Sequence, residues 1–179
     1  IKENLKYPLI VKPCDGSGSK GIKRVNSFKE LKSAFLDAKG ASLSGKVLIE
    51  DFIEGTEYGV ESFVFEGKVH VLGVMKKHMT SPPVFAELGH SYPSQLDKEI
   101  ETKVKNTVVK AIHSLEINFG AVNMDILITD DNRIYIVDIG ARMGGNLIGS
   151  HIIPHGTGLD YPSILIKASM REDFGLFKS

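Results

Sequence analysis

Asp125 and Asp138 sit in two apolar, β-branched runs, residues 121–129 and 134–139, and Asp130-Asp-Asn-Arg133 between them is turn chemistry. With Asp131-Asn132 as a two-residue turn, Asp130 closes against Arg133, and counting outward sets Asp125 opposite Asp138. Opposed residues on one sheet face have Cβ atoms roughly 4.5–5.5 Å apart, and like charges there repel. Two carboxylates that close call for a cation. Directly after Asp138, Gly140-Ala-Arg-Met-Gly-Gly145 adds one guanidinium on a flexible segment. Carboxylate pair, arginine and glycines together predict a magnesium–phosphate site. The competing reading is a solvated hairpin whose acids never meet, which a one-residue slip of the turn would produce.

A second anion-binding feature lies near the start. Residues 8–13 form a short buried-strand run containing Lys12, and Asp15-Gly-Ser-Gly-Ser-Lys-Gly-Ile22 follows. Its glycines and serines allow backbone N–H groups to turn inward on an anion, with Lys12 as a point charge. The loop matches neither the P-loop nor a strict GxGxxG pattern. Standing alone, it reads equally well as a simple connection.

In chain order, the Lys12 strand, the glycine-rich loop, Leu48-Ile-Glu-Asp-Phe-Ile-Glu-Gly-Thr-Glu57, the two aspartates and Arg142 resemble the ATP-grasp superfamily. The resemblance covers nearly the whole chain. Lys77 and the segments 85–93 and 139–145 look like its carbamoyl-phosphate-synthase-like and amino-acid-ligase-like branch. This implies an α+β, two-lobed fold with the nucleotide between a small lid lobe, residues 1–49, and a larger antiparallel-sheet lobe, residues 50–179. It also implies roles. Lys12 would contact the phosphates, covered by Ser17, Gly18 and Ser19. Glu50 and the backbone of Asp51 and Ile53 would meet adenine, and Glu57 the ribose. Asp125 and Asp138 would hold magnesium (or manganese), and Arg142 would face the transferred phosphoryl group or the acceptor carboxylate. Lys77, Glu87 and His90 would lie toward the phosphate or acceptor, each with a plain surface reading beside it. Many relatives place a metal-binding asparagine where this chain has Gly140; Asn123, opposite it in the same register, is the substitute.

The elements that must position these groups follow from periodicity. Ser27-Phe-Lys-Glu30 is a capping box opening a helix with Phe28, Leu31, Ala34, Phe35 and Ala38 on its apolar face, ending at Gly40. Residues 47–52 read as a strand, and 58–65 with 69–74 flank Glu66-Gly-Lys68, a hairpin signature. A long helix fits 96–115, with Ile100, Val104, Thr107, Val108, Ala111 and Leu115 on one face. Asp160 is the N-cap of a last helix carrying Ile164, Leu165 and Ala168.

Composition narrows the function classes. With 179 residues, 42% of them hydrophobic, the chain can bury a core. Lys and Arg number 22 against 22 Asp and Glu, so no net field would draw nucleic acid or an anionic membrane. Cys14 is the only cysteine, which excludes an intrachain disulfide. No run approaches the ~20 apolar residues of a membrane span, and a cytoplasmic location is expected. Ile1 lies about a dozen residues before Lys12, so the α/β acceptor domain that precedes the core in complete ATP-grasp enzymes is expected to be missing. Three classes stand: an ATP-dependent ligase of small carboxylates and amines, an ATP-binding module inactive without further domains, and a phosphotransferase of the same fold. A homodimer is compatible with each.

Overall fold

A computed structural model describes residues 5–16, 18–80 and 85–175, which fall into two compact units. The first comprises the described residues up to Glu54 and those of Met79–Leu88; the second comprises Gly55–His78 and the described residues from Gly89 onward. The division falls at Glu54/Gly55, later than the expected 49/50. Pairing explains it: β3 (Val47–Asp51) runs antiparallel along β1 (Leu9–Pro13) from Pro13↔Val47 to Leu9↔Asp51. Glu50 and Asp51 are therefore part of the first unit's sheet.

That sheet has the order β2-β1-β3, with β2 at Lys23–Val25. Period-two alternation turns Val11 inward against Val25, and α1 (Phe28–Ala41) covers them with Ala34 and Ala38. The sequence put Phe28 and Phe35 on this buried face, but they are 44% and 39% exposed. They form a stripe rotated about 60° from Leu31 and Ala38 at 3.6 residues per turn, and the alanines permit the closer approach. The expected capping box does not close; its glutamate reaches one residue further back. The Glu30 carboxylate accepts from the Asn26 N–H at 3.0 Å and the Ser27 hydroxyl at 2.9 Å, while the Ser27 side chain caps no helix N–H.

The second unit is organised by a sheet of order β6-β5-β4-β7-β8. Its strands are β4 (Thr56–Phe65), β5 (Lys68–Met79), β6 (Glu87–Ser91), β7 (Gly120–Ile128) and β8 (Ile134–Gly140). One face, with Tyr58, Val60, Val74, Val122, Met124 and Ile126, packs on Ile100, Val104, Val108 and Ile112 of α2 (Lys98–Ser114). Ile112, an i+4 step from Val108, takes the inward place expected of Leu115, which is 54% exposed after the helix ends. The opposite face is divided. Phe63, Leu72, Met75 and Ala121 pack on Ile148, on Ile153 of α3 (Ile153–Thr157), and on Tyr161, Ile164 and Ala168 of α4 (Tyr161–Ser169). Asp160 caps α4 as expected, accepting from the Ser163 N–H and hydroxyl.

Two β-bulges set which side chains reach the rest of that face. From the turn at Glu66-Gly67, both with positive φ (49° and 76°) as a type I′ hairpin requires, pairing runs Phe65↔Lys68 to Ser62↔Val71, then jumps to Glu61↔Gly73. Leu72 is the extra residue, and it moves Gly73, Met75 and Lys77 to the face opposite α2. On β8 the pairing runs Ile128↔Ile134 to Ile126↔Ile136, then jumps to Asp125↔Asp138, leaving Val137 extra.

Candidate functional site

Asp125 and Asp138 are register partners on β7 and β8, as the sequence predicts, but by a different route. The turn is a three-residue loop, 130–132, closed by Thr129 with Asn132 left-handed at φ 61°. Continued without change, that register would pair Asp125 with Val137 and send Asp138 to the α2 face. The bulge at Val137 restores the pair. Two one-residue offsets cancel.

Lys77 supplies a cation beside the pair. Its Nζ donates to Asp125 Oδ2 at 2.9 Å and lies 3.6 Å from Glu57 Oε2, with the lysine side chain 6% exposed. The contact across β4 is open because the residue opposite Asp125 on that strand is Gly59. Gly59 also makes room for His90: a Cβ there would lie 3.5 Å from the imidazole Nε2. Glu87 and His90 both lie on strand β6, the edge of the sheet.

Deeper on this face is a group to which the sequence reading assigned no role. Glu61, fully buried on β4, accepts from the Gly144 N–H with both carboxylate oxygens at 3.1 Å and from Asn123 Nδ2 at 3.0 Å. Burial pushes its carboxyl up to about 7, against the pull of the Gly144 N–H, the Asn123 amide, the Tyr161 hydroxyl and the Arg142 charge. A Cβ at Gly144 would lie 2.7 Å from Glu61 Oε2, so any larger residue there would push the carboxylate aside. The visible signal was a charged residue inside the otherwise apolar run 58–65. Asn123 pairs with Gly140, as expected. Arg142 folds back over that glycine, its Cγ and Nε 3.3 and 3.4 Å from where a Gly140 Cβ would stand, and Nη1 donates to the Met143 carbonyl at 3.1 Å.

The remaining candidates belong to the first unit. Lys12 Nζ pairs with Glu50 Oε2 at 2.6 Å, diagonally across β1 and β3. Asp51 is exposed at the end of β3, and Ile53 follows it partly buried. Gly18 and Ser19 are both left-handed, at φ 65° and 57°; Ser17 lies outside the described residues. The loop carrying them is pinned at both ends. Asp15 accepts from the Ser44 N–H at 2.7 Å and from the Ser42 hydroxyl, and these bonds hold its carboxyl below the usual range. Gly21 abuts α1, where a Cβ would meet Ala41 at 2.7 Å.

Among the described residues, no three His, Cys, Asp or Glu side chains gather into a metal cage. The pair Asp125 and Asp138 fits magnesium, which binds through one or two carboxylates plus substrate phosphates and not through a closed protein shell. No helix among those residues is long and apolar enough to cross a membrane.

The family model of the ATP-grasp domain matches residues 5–150. D-alanine–D-alanine ligase of Staphylococcus epidermidis is 27% identical over 175 residues, 93% of this chain and 48% of the relative. The same enzyme of Thermosipho africanus is 28% identical over 153 residues, 80% of this chain and 41% of the relative. An L-amino acid ligase structure from Bacillus licheniformis aligns with a TM-score of 0.82 at 29% identity, over 94% of this chain and 40% of that one. VanG D-Ala:D-Ser ligase of Enterococcus faecalis shares the fold at a TM-score of 0.77 and 22% identity, over 93% of this chain and 50% of that one. The chain thus spans half or less of the length of these relatives. Since the family match takes in both the Lys12 strand and the aspartate hairpin, this chain belongs to the ATP-grasp family.

Proposed function

We propose that this chain is the catalytic core of an ATP-dependent carboxylate–amine ligase. The observation that carries the reading is the in-register Asp125↔Asp138 pair, with Lys77 bonded to Asp125, on the sheet face opposite α2. Amino-acid ligases among the relatives support the same chemistry. Lys12 and the amides around Ser17, Gly18 and Ser19 hold the phosphates, Glu50 with the backbone of Asp51 and Ile53 meets adenine, and Glu57 meets the ribose. Asp125 and Asp138, with Asn123 beside them, hold magnesium, which supplies charge neutralisation on the β- and γ-phosphates. Arg142 orients the γ-phosphoryl group or the acceptor carboxylate, and Lys77 fixes Asp125 and offsets charge nearby. Glu87 and His90 lie toward the acceptor.

The reaction needs no protein nucleophile. A substrate carboxylate oxygen forms a bond to the γ-phosphorus as the bond to the ADP oxygen breaks, giving an acyl phosphate. An amine then attacks the acyl carbon, phosphate leaves, and one amine proton is released as the amide forms. Positioning and electrostatics carry the rate.

The test is twofold. Calorimetric titration of the chain with Mg-ADP should show binding, and none at millimolar nucleotide would sink the assignment. The full-length protein should release ADP only when both a carboxylic acid and an amine are present. A stable phosphorylated product without amine would instead make it a phosphotransferase.

A further inference from the structure

Glu61 is an unusual group to find at the centre of a sheet. β4 is the middle strand, its neighbours on this face are Gly73 and Asn123, and the carboxyl is wholly out of solvent. A buried carboxylate is costly unless its lone pairs are used. Here Oε1 accepts from the Gly144 N–H, and Oε2 accepts from the same N–H and from Asn123 Nδ2. The segment held in this way is the one that leaves β8, passes Gly140 and carries Arg142 two residues before the anchor. Between the end of β8 and the helical turn Ile148–Ile152 this segment has no regular secondary structure. Gly144 is its buried point, and the residues on either side are less buried. The contact is close: a Cβ on Gly144 would lie 2.7 Å from Oε2 and 2.9 Å from Asn123 Nδ2.

We infer that Glu61 is a positioning residue: it fastens the Arg142 segment to the central strand through Gly144, and so fixes the guanidinium relative to Asp125 and Asp138. The inference rests on the ligase reading for Arg142's part in the reaction, but the anchoring itself does not. Asn123 is the second element of the clamp. Its amide donates to Glu61, which orients its side chain on β7 one alternate position from Asp125.

Glu61→Gln tests this with volume preserved. A glutamine has one oxygen and one donor nitrogen. The Gly144 N–H then keeps at most one of its two acceptors, and Asn123 must turn its amide over to stay bonded. Gly144→Ala attacks the same contact from the loop side and leaves Glu61 intact. Both variants are made in the full-length protein. Amide exchange without ligand should quicken by about tenfold or more in residues 141–147, the factor set by loss of roughly one buried hydrogen bond, and stay unchanged in β4 and β7. Mg-ADP affinity should hold within about twofold, while kcat for ligation should fall by about 10–100-fold, as when a positioned group is misplaced by a fraction of an ångström. Combined with Arg142→Ala, Glu61→Gln should add little further loss, because the two act as a unit. Unchanged loop exchange overturns the inference. So does faster exchange with wild-type kcat, or a full additive loss in the double variant. A wild-type protein with no ligation for any acceptor overturns the ligase reading instead, and the exchange measurement still decides the anchoring.

Discussion

Lys12, on the middle strand of a small sheet whose core is a few residues deep, pairs with the half-exposed Glu50. Lys77 lies nearly sealed between Asp125 and Glu57 on a sheet backed by the largest core of the molecule. From the sequence, Lys12 is expected to contact the phosphates and Lys77 the phosphate or the acceptor, with a plain surface lysine as the other reading of Lys77. Their surroundings separate them. The pair is covered on the Lys12 side and open to solvent on the Glu50 side, so screening keeps it near the ~1 kcal/mol of a surface pair, and in the proposed site Lys12 would exchange Glu50 for phosphate oxygens at small cost. Lys77 already neutralises a carboxylate that has another carboxylate opposite it, and moving it would expose that repulsion.

The strongest test of this contrast is Asp138→Asn in the full-length protein. Turnover should fall by about 10²–10³, the scale of one lost electrostatic contact, while stability holds or rises because one of two opposed charges disappears. Wild-type turnover would take Asp138 out of the site.

A second test uses pH, read as the difference between the wild type and Glu61→Gln. Glu61 has a folded value of about 7 against an ordinary 4.5, so between these values the folded state binds more protons than the unfolded one. Its contribution is fully present below pH 4.5 and is lost as pH rises through 7, a fall of roughly 3 kcal/mol. Urea midpoints from pH 5 to 7.5 should show this decline in nucleotide-free protein and a flatter profile in Glu61→Gln. A wild-type profile as flat as the variant's would place the Glu61 carboxyl in a wetter setting than the one described.

Smaller still is Lys77→Met. It should cost about 2 kcal/mol in denaturant unfolding, below the 3–5 kcal/mol of a fully buried pair because Asp125 and Glu57 keep some solvent. Lys12→Met should change stability by less than about 1 kcal/mol while weakening Mg-ADP binding. Equal stability losses in the two variants would erase the distinction between the lysines.

What could be read from the sequence was local. The Asp160 cap, the Glu66-Gly67 turn and the periodicity of β4 and α2 rest on residues within a few positions of one another. Counting from a two-residue turn sets the aspartates opposite each other, yet the chain has a three-residue turn, and only the Val137 bulge restores the pair. Lys77 shows the same limit from the other side: counting from Glu66-Gly67 without the Leu72 bulge turns it toward α2. Glu61 stood out as a charge in an apolar run, but its partners are 62 and 83 residues away, beyond any periodicity.

The bulges at Leu72 and Val137 also act as buffers. Each lies between a hairpin tip and the chemical end of its strand, so the two ends of β5 and of β8 keep separate phase. A one-residue slip between a tip and its bulge would turn Val69 and Val71 of β5, or Ile134 of β8, away from the α2 core while the half bearing Lys77 or Asp138 stays in place. The same slip beyond the bulge would instead turn the charged residue away from the site and leave that packing intact.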